Sequence, residues 1–209
     1  MDAQRFARQW LWATTTGWWI GIPMVVVLAL ASDALGIEGG QAIVGLAMGA
    51  SVGWRQRSRL RDLLPGWRVW PWASALGLAL PFALADILTA AGQSALYSLP
   101  LATALGALTL GAWQARLLRP HVAKSATWPL ACLLGWTLGA AAGAGAGTLT
   151  TTLGLRGITG ALTFLALTAG GGPILGLVTG QWLRPRVARG AVMHGDQGEA
   201  RWTQPSPSP

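Results

Sequence analysis

Charge is what this sequence has least of: only 11% of its 209 residues are Asp, Glu, Lys or Arg, where a soluble domain carries about 25%. So little charge cannot clothe a water-facing surface. Acid is scarcer than base, with seven Asp and Glu against 15 Lys and Arg and a net charge of +8. Cysteine occurs once, as Cys132 in an apolar run, which excludes an intrachain disulfide. The two histidines, His121 and His194, are far apart and lack metal-ligand spacing. There is no P-loop and no Gly-x-Ser-x-Gly elbow. No apolar run holds paired aspartates or a Ser–His pair, which intramembrane proteolysis would need. The residues therefore point to a non-enzymatic protein with no metal and no cofactor.

What the chain has is apolar length. Hydrophobic residues make up 52%, with 29 Gly and 13 Trp, and the mean hydropathy is +0.45. Trp favours membrane interfaces and Gly favours close packing between spans. The fold class expected is an all-α integral membrane protein. Six transmembrane helices are expected near Trp10–Ala31, Gly39–Trp54, Val69–Leu88, Ser94–Leu117, Trp128–Thr148 and Ile158–Leu183. The second is short and is expected to continue through Arg55–Leu60. Gly170-Gly171-Gly172-Pro173 predicts a break in the sixth. The first run, although preceded by Arg5 and Arg8, is longer than a signal core and is read as a retained span.

The basic residues orient the chain. Arg5 and Arg8 precede the first run, Arg55 to Arg68 lie between the second and third, and Arg116, Arg119 and Lys124 lie between the fourth and fifth. Arg184, Arg186, Arg189 and Arg201 follow the sixth, so that Arg156 alone falls in a loop of opposite parity. The positive-inside rule reads this as a multi-pass protein of the plasma (inner) membrane with both termini cytoplasmic. It also accounts for the net charge without nucleic acid, for which no binding fold is present. A six-span domain is expected over 1–189, and a disordered cytoplasmic tail over 190–209, which is too poor in apolar residues to bury a core.

A pattern recurs along the apolar portion. Trp-x6-Gly-x3-(Gly or Pro) opens three segments, at Trp10/Gly17/Gly21, Trp70/Gly77/Pro81 and Trp128/Gly135/Gly139. Small-x3-Gly-x2-(Gln or Thr)-x3-Leu-Arg closes them, at Gly49/Gly53/Gln56/Leu60/Arg61, Ala107/Gly111/Gln114/Leu118/Arg119 and Gly172/Gly176/Thr179/Leu183/Arg184. Three tandem helical hairpins, approximately 4–61, 62–119 and 120–189, follow from this. Pseudo-threefold packing and a simple row remain equal alternatives.

The four-residue spacing puts the small residues on single helix faces. Gly45, Gly49, Gly53, Ala107, Gly111, Gly135, Gly139, Gly172 and Gly176 are the expected packing seams. Trp10, Trp12, Trp67, Trp70, Trp72 and Trp128, with Trp54, Trp113 and Trp182, are expected to anchor at headgroup depth. Trp18, Trp19 and Trp136 lie deeper and are better placed to touch a ligand or another helix. Gln56 and Gln114, with Thr179 in the third copy, read either as interhelical hydrogen-bond formers or as a polar ring. In that ring Gln56, Arg61, Gln114, Arg119 and Arg184 would contact the headgroup of a lipid or ligand. Asp86, near the far end of the third span, is the one candidate transport residue.

The phrase Gly-x3-Gly-x2-Gln-x3-Leu-Arg stands here as Gly49–Arg61 and more loosely as Ala107–Arg119, followed by Leu134-Gly135-Trp136-Thr137-Leu138-Gly139. It resembles a repeat found in uncharacterised multi-pass bacterial membrane proteins. The third copy departs from it, with Thr179 in place of Gln and Gln181 two residues on. The resemblance implies fold and membrane location and no activity. Two functional classes stay open. The first is a subunit or scaffold that packs partner helices or organises anionic lipid on the cytoplasmic leaflet, with a protein partner or a second copy of the chain. The second is a small transporter or channel with a path near Asp86 and the Gly170–Pro173 break.

Overall fold

The computed structural model describes residues 2–36, 40–61, 64, 66–93 and 98–185, so the tail expected over 190–209 lies outside the described residues. Among these every regular element is helical: α1 (Ala3–Ala34), α2 (Gln41–Leu60), α3 (Trp70–Ala90), α4 (Leu99–Leu118), α5 (Trp128–Thr152) and α6 (Gly157–Ala169). After Gly170 alone, α6 resumes as a helical stretch over 171–185. Four segments are long and apolar enough to cross a membrane: Ala3–Ala34, Trp70–Ala90, Ser125–Thr152 and Gly157–Pro185. The helices α2 and α4 fall short of that measure. Arg55, Gln56 and Arg57 occupy part of one, and Gln114 and Arg116 part of the other.

Apolar side chains cover the outside of the bundle as well as filling most of its core. Leu76, Leu80, Leu84 and Ile87 form an exposed stripe along α3, and Leu130, Leu134 and Leu138 one along α5. Thr14, Gln56, Ser74, Gln114 and Thr179 are buried. Exposed apolar stripes of this extent are costly in water and favourable in hydrocarbon.

The odd-numbered helices end alike. Gly36, Gly92 and Gly154 take positive φ values of 68°, 76° and 61° just past the ends of α1, α3 and α5. Their amides bond back to Asp33, Thr89 and Thr151 at 3.0, 3.0 and 3.1 Å. A left-handed residue after a helix satisfies its last carbonyls, and glycine adopts that conformation without steric cost. These three turns reverse the chain at the end remote from most of the arginines.

Successive helices pack on one another through glycine. A Cβ on Gly17 would lie 2.7 Å from Val52 Cα, one on Gly77 2.5 Å from Leu110 Cα, and one on Gly135 2.7 Å from the Leu175 side chain. These three seams are α1–α2, α3–α4 and α5–α6. Between α2 and α3, Gly45 lies on Ala79, Gly49 on Ser74 and Ala75, and Gly53 on Pro71. Between α4 and α5, Gly111 lies on Pro129, and Ala107 is fully buried. The series does not stop at α6: Gly172 lies on Thr15 and Trp18, and Gly176 on Leu11, so the last helix packs on the first. The bundle is a closed ring, not a row.

Candidate functional site

Three tryptophans meet at the centre of the ring. Trp10, Trp70 and Trp128 begin or lie near the beginning of α1, α3 and α5, and their ring centroids are 6.2, 6.3 and 6.0 Å apart. They are 0%, 0% and 1% exposed, whereas Trp12 and Trp72, two residues further along, are 57% and 67% exposed. Residues two apart on a helix lie about 200° apart around it, so one of each pair must face inward. Trp12 and Trp72 keep the outward position expected of a membrane-interface anchor. The sequence reading of Trp10, Trp70 and Trp128 as anchors is corrected: they are the core.

Each indole of the triad donates to the final helix of the preceding pair. Trp70 Nε1 donates to Gln56 Oε1 at 3.0 Å and Trp128 Nε1 to Gln114 Oε1 at 2.8 Å, both across a separation of 14 residues. Trp10 Nε1 donates to Thr179 Oγ1 at 2.9 Å. The amides then reach the helix before them: Gln56 Nε2 donates to Thr14 Oγ1 at 3.0 Å and Gln114 Nε2 to Ser74 Oγ at 2.8 Å. Each glutamine therefore ties three helices together. At the third of these positions Thr179 has no amide to donate, and the residue one turn past Trp128 is Cys132, whose thiol donates to Gln114 Oε1 at 3.7 Å; Thr179 donates to Leu175 O at 2.6 Å. The departure from the pattern at one position is matched by the departure at the other.

Gln56 and Gln114 are thus inside the bundle with their amides used, away from Arg61 and Arg119, which lie exposed just past the ends of α2 and α4. Nearby, the Arg57 guanidinium lies 3.3 Å from the centroid of Trp54, a cation–π contact at the rim. Asp86 caps another helix: its carboxylate accepts from the Gln41 and Ala42 amides at 3.0 and 2.8 Å. Negative charge at the first amides of a helix is stabilising, and this fixes the start of α2.

The glycine-rich break is filled by indoles. A Cβ on Gly172 would lie 2.7 Å from Trp18 Cβ, and one on Gly171 2.7 Å from Gly139 O. Pro173 has no N–H, so the carbonyl four residues before it, Ala169 O, lacks its helical donor; Trp19 Nε1 donates to it at 3.0 Å. Trp18 Nε1 donates to Thr168 O at 2.9 Å, and Trp18 itself packs 5.5 Å from Trp136. Trp19→Phe is expected to cost about 0.5–1.5 kcal/mol, the scale of a hydrogen bond between membrane helices. In a Pro173→Ala background the cost should fall, because the new N–H at position 173 supplies Ala169 O. A double-mutant cycle of unfolding in micelles reads this coupling directly.

Among the described residues, the space that Gln114 lines, about 10 Å³, has neither Asp86 nor the 170–173 segment on its wall. A larger cavity of about 320 Å³, walled almost wholly by apolar groups, lies among α1, α2, α3, α4 and α5, with Trp18, Met48, Phe82, Thr103 and Trp136 on its wall. Where α2 carries Gly45 and closes on α3, α4 carries Thr103, and past Trp136 and Thr137 the α5 wall is made of the small residues Ala140, Ala141 and Ala144. Beyond it Gly145 and Gly147 have nothing within reach of an added Cβ. Among the described residues no three His, Cys, Asp or Glu side chains gather as a metal site would require.

These features define a class: an all-helical bundle whose apolar faces point outward, with helices able to cross a membrane. Comparison with known protein families, curated proteins and solved structures finds no match to this chain.

Proposed function

We propose that the chain is a non-enzymatic six-span membrane protein, built as three tandem hairpins about a pseudo-threefold axis, that serves as a scaffold or subunit. On this reading both termini and most of the arginines lie at the cytoplasmic face of the plasma (inner) membrane. There they organise anionic lipid, while the unfilled face of α5 receives a partner helix or a second copy of the chain.

One observation carries the reading: the axis is closed by three mutually packed indoles whose N–H groups, with the surrounding amides, are spent on one another. A polar solute has no run of free polar groups to follow through such a centre. Asp86 and the Gly170–Pro173 break, the residues on which transport would rest, are engaged in holding α2 and α6. Gly145, exposed and with nothing within reach of an added Cβ, supplies low bulk of the kind that close helix association in lipid requires.

The test is purification in mild detergent followed by reconstitution. The chain is expected to retain anionic phospholipid above its share of the bulk membrane, or a stoichiometric helical partner, and to give no solute flux in liposomes that contain it alone. Selective flux through those liposomes would overturn the reading.

A further inference from the structure

The ring is not equal at its three seams, and the exception forms a cleft. The helices α3 and α5 start at Trp70 and Trp128, each followed at once by proline. The helix α1 starts at Ala3, about two turns ahead of Trp10, and runs beside the end of the 171–185 stretch. Between them lies a cleft of about 280 Å³ at the arginine-bearing end.

Its two walls carry the same residue types. From the floor outward α1 presents Leu11, Arg8 and Gln4, and the 171–185 stretch presents Leu177, Gln181 and Arg184. The spacing puts each set on a single helix face. Gly176 and Gly180 form the floor, where their lack of side chains brings the backbone against Leu11, Ala7 and Trp10. Among the described residues no acid lines the cleft.

Two planar guanidiniums and two primary amides form a donor-rich rim, and phosphate oxygens are the partners that guanidinium forks match best. The leucines beneath form an apolar floor, which suits a molecule with a charged head and a hydrocarbon body. We infer that the Arg8–Arg184 cleft binds a phosphate group, carried by an anionic phospholipid of the facing leaflet. The inference rests on the proposed orientation of the arginine end toward an anionic leaflet, and it assigns one stoichiometric site where that reading gives only a basic rim.

The experiment uses the full chain in detergent and counts bound lipid by native mass spectrometry against added dioctanoyl phosphatidylglycerol, dioctanoyl phosphatidylcholine and inorganic phosphate. One phosphatidylglycerol should bind per chain more tightly than the others, with affinity falling about fivefold for each of Arg8→Gln and Arg184→Gln. Gln181→Glu, which places an acid on the exposed rim, should weaken binding at least as much while leaving helicity and elution unchanged. The double variant Arg57→Gln/Arg68→Gln, whose guanidiniums lie 5.5 and 5.4 Å from the Trp67 ring centroid and outside the cleft, should bind as the parent does. Inorganic phosphate that competes as well as the lipid at equal concentration would overturn the lipid as source and retain the phosphate site. Unchanged binding in all three cleft variants would overturn the site and leave the broader lipid-organising reading standing. A parent chain that does not distinguish phosphatidylglycerol from phosphatidylcholine would overturn both.

Discussion

Trp128→Ala should cost the bundle about 3–5 kcal/mol from the loss of a buried aromatic side chain. A further ~1 kcal/mol follows from removing the stronger of the two donors to the Gln114 carbonyl, which keeps only the Cys132 thiol at 3.7 Å. Trp128 is 1% exposed and touches three other indoles, with centroids 6.3, 6.0 and 5.0 Å from those of Trp10, Trp70 and Trp182. The three neighbouring indoles are held by hydrogen bonds of their own, Trp10 to Thr179, Trp70 to Gln56 and Trp182 to Thr127, which opposes their moving into that volume. Trp128→Phe keeps a six-membered ring in the site but loses the rest of the indole with its N–H, so it should recover part of the packing loss and none of the hydrogen bond. Denaturant unfolding in micelles, followed by circular dichroism, separates the two contributions.

Gly77→Leu should be at least as damaging, for the opposite reason. A Cβ at Gly77 would lie 2.5 Å from Leu110 Cα and 2.7 Å from Leu110 N. The obstruction is backbone, which cannot rotate away, so α3 must move off α4 and the seam opens along its length. Gly77→Ala should cost about 1–3 kcal/mol, and leucine should leave little folded protein. Gly147, with nothing near an added Cβ, is the control: Gly147→Ala should be neutral or stabilising by up to about 1 kcal/mol, since alanine is the better helix former. The lone thiol makes this readable. Cys132 is buried, so a fluorogenic maleimide should label the parent and Gly147→Ala slowly and the Gly77 variants fast.

Much of this was legible before the fold. The small residues at four-residue spacing mark faces, and a face without bulk has to meet another backbone closely to gain dispersion contact. What those faces meet is a different matter. Gly176 announces a seam, yet that its partner is Leu11 on the first helix depends on the ring closing, and a row would have left the same pattern. The tryptophans show the limit most clearly. Depth along a span is readable from distance to the arginines; azimuth is not. Trp10 and Trp12 share a depth and differ only in which way they face. The signal that distinguishes them was present: Trp70 and Trp128 each follow a glutamine by 14 residues, and a buried amide needs partners. The cleft at Arg8 and Arg184 was hidden for another reason. It arises from the helical start of α1 ahead of Trp10, a boundary that apolar periodicity locates poorly.

The ring itself is the claim on which the triad, the cleft and the closed axis all depend, and a distance between its first and last helices tests it. Spin labels placed at Gln4→Cys and Gln181→Cys, in a Cys132→Ala background and in lipid nanodiscs, occupy exposed positions on opposite walls of one cleft. Double electron–electron resonance should give a narrow distribution below about 25 Å, consistent with helices in direct contact. A distribution centred at about 40–50 Å, the span of five helix-to-helix steps of about 8–10 Å each, would contradict it and return the chain to a row.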